Sequence, residues 1–265
     1  MSADAVFHVG CVSYLNATPL IAGLESASGG RVRVHFDVPS GLLSGLEGGY
    51  FDLALCPVVD QFRSSAGLRL VPVGGIACRG RTHTVKLFTR RPIAQCARIA
   101  ADTDSHTSVN LLRVLWPDRS PEPLELVAHD FHADPEPPAG VDGALLIGDK
   151  VVTSPPSSEA FAYTLDLGEA WLERTGLPFV FATWMARPER ELGDLPDLLT
   201  AQLDRNLGDL ERLAGAAAEA KGWPADLALA YLSEILHYRL AADDLRAIER
   251  FREAVANLES VRQQA

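Results

Sequence analysis

From Asp102 to Ser108 the chain reads Asp-Thr-Asp-Ser-His-Thr-Ser. Every one of these side chains bonds hydrogen or titrates. The following run, VNLLRVLW, turns abruptly apolar. Capping a helix takes one or two such residues, expected here from Thr103, Ser105, Thr107 and Ser108. The surplus hydroxyls, together with the free N–H groups of a helix start, suit a carboxylate or a hydroxyl. Histidine, present here as His106, is the side chain whose ordinary pKa lies nearest neutrality. The same residues also suit an elaborate cap followed by a polar loop. Comparable polar stretches are SYLNATP (13–19), CPVVDQF (56–62), ACRGRTHT (77–84) and IGDK (147–150).

Strands and helices must hold these stretches. Strand patterns occur at 6–14, 31–38, 51–59, 68–78, 84–90, 97–103, 124–130, 143–149 and 177–187. Helical patterns occur at 18–26, with Thr18 as cap and Pro19 in the first turn, and at 39–49, capped by Ser40. Further helices are expected at 108–116 and at 166–176, the latter ending at Gly176. Residues 189–262 are rich in Ala, Leu, Glu and Arg and read as packed helices. Leu198, Leu199, Leu203, Leu207 and Leu210 form an apolar stripe for the core. A homodimer through this tail is compatible with the pattern.

Alternating β and α units imply parallel sheets covered by helices. The expectation is an α/β protein of two lobes with a helical C-terminal tail. Lobe I would comprise 1–88 plus 180–265 and lobe II 89–179. In open α/β sheets ligands bind beyond the carboxyl ends of the strands, which places the site in the cleft between lobes. The polar stretches above fall in those loops.

The net charge of −11 disfavours nucleic acid as a partner. No run of about 18 uninterrupted apolar residues suggests a membrane span. The start, MSADAVFHVGCVSYLN, lacks the basic and apolar regions of a secretory signal, so a cytoplasmic location is expected. Cys11, Cys56, Cys78 and Cys96 form no CxxC pair and read as buried thiols. No histidine pair has metal-like spacing, so no metal or other cofactor is expected.

Five blocks, VSYLNATPL (12–20), GRTHTVKLFTR (80–90), DTDSHTSVNLLRVL (102–115), GALLIGDKVV (143–152) and DLGEAWLERTGLPFVFATW (166–184), resemble the signature blocks of the chorismate dehydratase family. They stand in that family's order. The resemblance implies a type II periplasmic-binding-protein-like fold. It also implies an enzyme of the futalosine route to menaquinone, a carbon–oxygen lyase that converts chorismate to 3-[(1-carboxyvinyl)oxy]benzoate and water. The sister family, 1,4-dihydroxy-6-naphthoate synthase, typically opens with an SPCPNDT-like block where this chain has SYLNATP. Thr84 stands where many relatives have serine, which keeps the hydroxyl and adds a methyl.

Chorismate is a small dianion, so the resemblance implies donors for two carboxylates, a group acting on the hydroxyl and a base. Ser13, Asn16, Thr84, Ser105, Thr107 and Ser108 are the substrate-binding candidates. Lys86 shares a strand face with Thr84 and is the candidate for steering the anion. Arg63, Arg79 and Arg81 are read as solvated, and Arg190 and Arg239 as structural. Asn16, Asp149 and His106 are the catalytic candidates. Proton removal is left open among Asp149, His106 and the substrate's own enolpyruvyl carboxylate. A non-catalytic small-anion binding protein would share the fold and the anion site.

Overall fold

Most of the apolar runs become strands of two sheets, in a computed structural model that describes residues 6–264, with side chains through residue 260. Elements are numbered along the chain. The strands are β1 (Phe7–Cys11), β2 (Val32–Phe36), β3 (Leu53–Pro57), β4 (Arg69–Cys78), β5 (Val85–Thr89), β6 (Arg98–Asp102), β7 (Glu125–His129), β8 (Gly143–Ile147), β9 (Tyr163–Asp166), β10 (Phe179–Ala186) and β11 (Leu236–His237). The helices are α1 (Thr18–Ile21), α2 (Leu24–Ala27), α3 (Pro39–Glu47), α4 (Val58–Arg63), α5 (Thr107–Leu115), α6 (Lys150–Thr153), α7 (Leu167–Thr175), α8 (Leu195–Leu207), α9 (Leu210–Lys221), α10 (Ala225–Ala230) and α11 (Ala242–Gln264).

The first unit holds the chain through Ala77 together with Val180–Ala241. Its sheet has the order β11-β4-β10-β3-β1-β2. β1 pairs in parallel with β2 and β3, and β10 runs antiparallel to β3. The continuous apolar runs of β1 and β3 are buried, as strands covered on both faces must be. The helix expected over 18–26 is broken. Gly23 adopts φ 73°, a left-handed conformation that ends α1 and starts α2. Thr18 lies inside α1 and Ser40 inside α3, and neither helix has a side-chain cap. Leu199 and Leu203 of the tail stripe enter the core, while Leu198, Leu207 and Leu210 are half-buried.

The second unit holds Cys78–Phe179 together with the chain from Ala242 onward. Its sheet has the order β7-β6-β8-β5-β9. This corrects the expected lobe boundaries in two places. The segment 78–88 was expected in lobe I, but β5 bonds to β8 and β9. The tail from Ala242 was also expected there, yet α11 packs on α5. Phe251 of α11 stacks edge-on against Trp171 and Phe179, with centroids 5.9 and 5.0 Å apart. Neither sheet is wholly parallel as expected, because β10 in the first and β5 in the second run against their neighbours. β9 and β11 were not anticipated; each is short, and β9 is largely exposed.

The Asp166 carboxylate joins three pieces of the second unit. It accepts the N–H groups of Gly168 (3.1 Å) and Glu169 (3.3 Å), which caps α7. It also accepts those of Thr82 and His83, each at 2.9 Å. The loop before β5 is thereby fixed to the start of α7, with His83 held at φ 63°. Gly168 permits the approach, since a Cβ there would lie 2.4 Å from the Gly80 carbonyl oxygen. At its far end α7 stops at Gly176, whose φ of 70° matches the expected C-terminal glycine.

Asp166→Ala removes the cap and strands the Thr82 and His83 donors, so urea unfolding should show a loss of about 3 kcal/mol. The four cysteines are free and buried. Burial pushes the Cys11 thiol up to about 12 and the Cys56 and Cys78 thiols higher still. Thiolates are the reactive form. Titration with a chromogenic disulfide at pH 8 should leave these three silent in the folded protein, and urea should release them.

Candidate active site

Strand directions bring distant residues to one edge of the second sheet. β5 runs antiparallel to β8, with Val85 opposite Ile147. β6 runs parallel to β8. The start of β5 therefore lies on the same edge as the ends of β6 and β8. That edge carries Thr84, Gly148–Lys150 and Asp102–Ser108. The Gly148 N–H donates to the Thr84 carbonyl at 2.9 Å, and Gly148 turns with φ 71°. Thr84 is buried, and its own N–H donates to Thr82 Oγ1 at 3.1 Å. Lys86, one strand pair further along, is half-buried and stands opposite Asp166. Burial, then the nearby Lys86 charge, lowers the pKa of His83.

None of the hydroxyls of the opening stretch takes the cap position of α5. The helix starts at Thr107 with His106 in that position, and the imidazole makes no capping bond. A cap from Thr103, Ser105, Thr107 or Ser108 was expected. Ser105, Thr107 and Ser108 are instead buried, and Thr103 is exposed. Ser105 Oγ has no hydrogen-bond partner among the described residues. Buried polar atoms are nearly always paired, so this hydroxyl is an exception. His106 is half-buried.

Beside this loop lies a charged cluster. Lys150 Nζ sits 2.8 Å from Asp102 Oδ2 and 3.1 Å from Asp104 Oδ2. Asp102 also accepts the N–H groups of Asp104 (3.2 Å) and Ile147 (3.3 Å). His132 Nε2 lies 2.9 Å from Asp104 Oδ2. Burial raises the pKa of Asp102, and the Lys150 charge and hydrogen bond oppose that rise. Asp149 is half-buried at the cap position of α6, without a side-chain capping bond. Lys150 was not among the sequence candidates, and its partners here lie 46 and 48 positions away.

In the first unit the loop after β1 carries Ser13 and Asn16. Asn16 sits in a 3-10 turn, Leu15–Ala17. Its Nδ2 lies 3.4 Å from Tyr231 Oη, while its buried Oδ1 has no hydrogen-bond partner among the described residues. Tyr231 opens a π-helical turn and stacks on Trp223, with centroids 5.1 Å apart. Ser13 is exposed and lines a surface pocket with Tyr14, Thr18, Phe36 and Lys221. Two amides that sequence reasoning missed hold this segment in place. Gln202 Nε2 donates to the Ala22 carbonyl at 2.6 Å, and Asn206 Nδ2 donates to the Pro19 and Ala22 carbonyls at 3.0 and 2.9 Å. They satisfy the end of a helix too short to satisfy itself. The signal was a pair of amides, four residues apart, within an otherwise apolar stripe.

Two α/β units of mixed sheets, with the chain crossing to the second and returning, define the periplasmic-binding-protein-like class. Solved structures agree. A protein of Archaeoglobus fulgidus matches with a TM-score of 0.74 at 14% identity, covering 98% of this chain and all of that one. The periplasmic aliphatic sulphonate binding protein of Escherichia coli matches with a TM-score of 0.66 at 14% identity, covering 98% and 93%. At that identity they speak for the fold alone. The sequence goes further. Residues 7–257 match the family described as menaquinone biosynthesis, and the chain belongs to that family. A chorismate dehydratase of Thermus thermophilus is 30% identical over 270 residues, spanning 93% of this chain and 94% of the relative.

Proposed function

We propose that the chain is a chorismate dehydratase, a carbon–oxygen lyase that acts in menaquinone biosynthesis on a free dianionic substrate. The observation that carries this reading is kinship along nearly the full length of both chains to an enzyme of that name. The site chemistry agrees with it. The reaction removes the hydrogen from the ether-bearing ring carbon. That electron pair moves through the ring double bond toward the ring carboxylate, then returns to expel the neighbouring hydroxyl as the ring becomes aromatic. The hydroxyl leaves with a proton, as water.

The protein's task is to hold two carboxylates, steady the enolate-like charge and direct the hydroxyl. Ser105, Thr107 and Ser108 at the start of α5 take one carboxylate, aided by the N–H groups there. Thr84 donates to the other, with Lys86 steering the anion and Ser13 contributing a hydroxyl. Asn16 bonds the departing hydroxyl, its amide able both to give and to accept. Three groups compete for the proton: Asp149, His106 and the substrate's enolpyruvyl carboxylate. A cytoplasmic location suits the biosynthetic role. Among the described residues no helix is long and apolar enough to cross a membrane.

Purified protein incubated with chorismate should release the dehydrated benzoate, followed by absorbance and mass. Asn16→Ala and Ser105→Ala should each lower kcat/KM by about a hundredfold, the scale of a lost transition-state donor. Asp149→Asn and His106→Gln identify the base. A loss of about a thousandfold in kcat in one of them, with its limb gone from the pH profile, names that residue. Losses below about tenfold in both assign proton removal to the substrate carboxylate. Tight chorismate binding without turnover would instead make the chain a small-anion binding protein.

A further inference from the structure

We propose that Lys150 is a positioning residue that offsets part of the negative charge of Asp102 and Asp104 beside the Ser105–Ser108 loop and so lets that loop accept an anionic substrate. The inference rests on reading the loop as a carboxylate site of a chorismate dehydratase. A carboxylate site needs a neutral or positive surround. This one is built next to two carboxylates, and Asp102 is only 2% exposed. Water therefore screens little of its charge. Lys150, itself 9% exposed, places its Nζ within 3.1 Å of both. His132 also pairs with Asp104, but its side chain is 61% exposed. Asp130 accepts the His132 N–H at 2.9 Å and adds a further negative charge on that side.

The geometry separates this role from direct binding. Both close partners of Lys150 are carboxylates of the protein, so its charge is already engaged. Ser105 Oγ, in the adjoining loop, is the buried group without a partner. Lys150 would thus act through Asp102 and Asp104, and Ser105 would touch the substrate.

The test is steady-state kinetics with chorismate at low salt on the wild type, Lys150→Met, Asp102→Asn/Lys150→Met and Asp104→Asn. Turnover by the wild type comes first; its absence overturns the function reading, and this inference with it, before any variant is compared. With turnover present, Lys150→Met should raise KM at least tenfold and leave kcat within threefold. The double variant removes one charge of each sign and should return KM to within threefold of wild type. Asp104→Asn should lower KM. A Lys150→Met variant that loses kcat with KM unchanged overturns the proposal, as does a double variant that keeps the KM defect. If Lys150→Met does not fold, the double variant and Asp104→Asn decide by the same thresholds.

Discussion

Asp102 is a carboxylate almost out of reach of water, at the end of a strand, and three segments of the second unit converge on it. Burial makes a charge there costly. Lys150 offsets that cost, and the Asp104 and Ile147 N–H groups occupy further lone pairs. These three partners come from the loop before α5, the end of β8 and the start of α6. Satisfying one charge therefore fixes the mutual positions of three chain segments. Buried ion pairs add little net stability against apolar packing of the same volume. What this one supplies is geometry at the sheet edge where Ser105, Thr107 and Ser108 stand.

Asp166 solves the neighbouring problem with N–H donors alone. Its carboxylate gathers four backbone donors, and the loop that leads to Thr84 is held by two of them. Asp166 and Gly168 belong to the DLGEAW block that carries much of the family resemblance. Both act on backbone, one by bonding it and the other by making room for it. The first unit uses neutral amides for the same end. Gln202 and Asn206 satisfy the carbonyls of a four-residue helix and steady the segment that follows Asn16.

The differences from the sequence-based expectation have specific causes. The tail reads as one helical region because its composition is uniform, yet the chain divides at Ala242 according to which apolar surface each helix covers. Phe251 packs against Trp171 and Phe179, residues far back in sequence, and no periodicity identifies such partners. The antiparallel direction of β5 was hidden for a similar reason. A buried strand shows the same apolar run whichever way it points. Capping failed as a guide at Thr18, Ser40 and the 103–108 run because hydroxyls at helix starts also serve as ordinary buried or loop residues.

The sequence by itself determined the α/β character, the place of most strands and helices, the return of the chain near 180, the family, and the polar loops that hold Asn16, Thr84 and Ser105. Those features follow from local periodicity, glycine and proline placement, and short motifs, all carried within a few residues. Tertiary structure alone decided strand direction, the unit to which β5 and α11 belong, and the pairing of Lys150 with Asp102 and Asp104. It also decided which buried polar atoms lack a hydrogen-bond partner among the described residues, Asn16 Oδ1, Ser105 Oγ and Tyr238 Oη among them. Those outcomes depend on which segments, dozens of residues apart, exclude water from one another, and that is settled only when the whole chain packs.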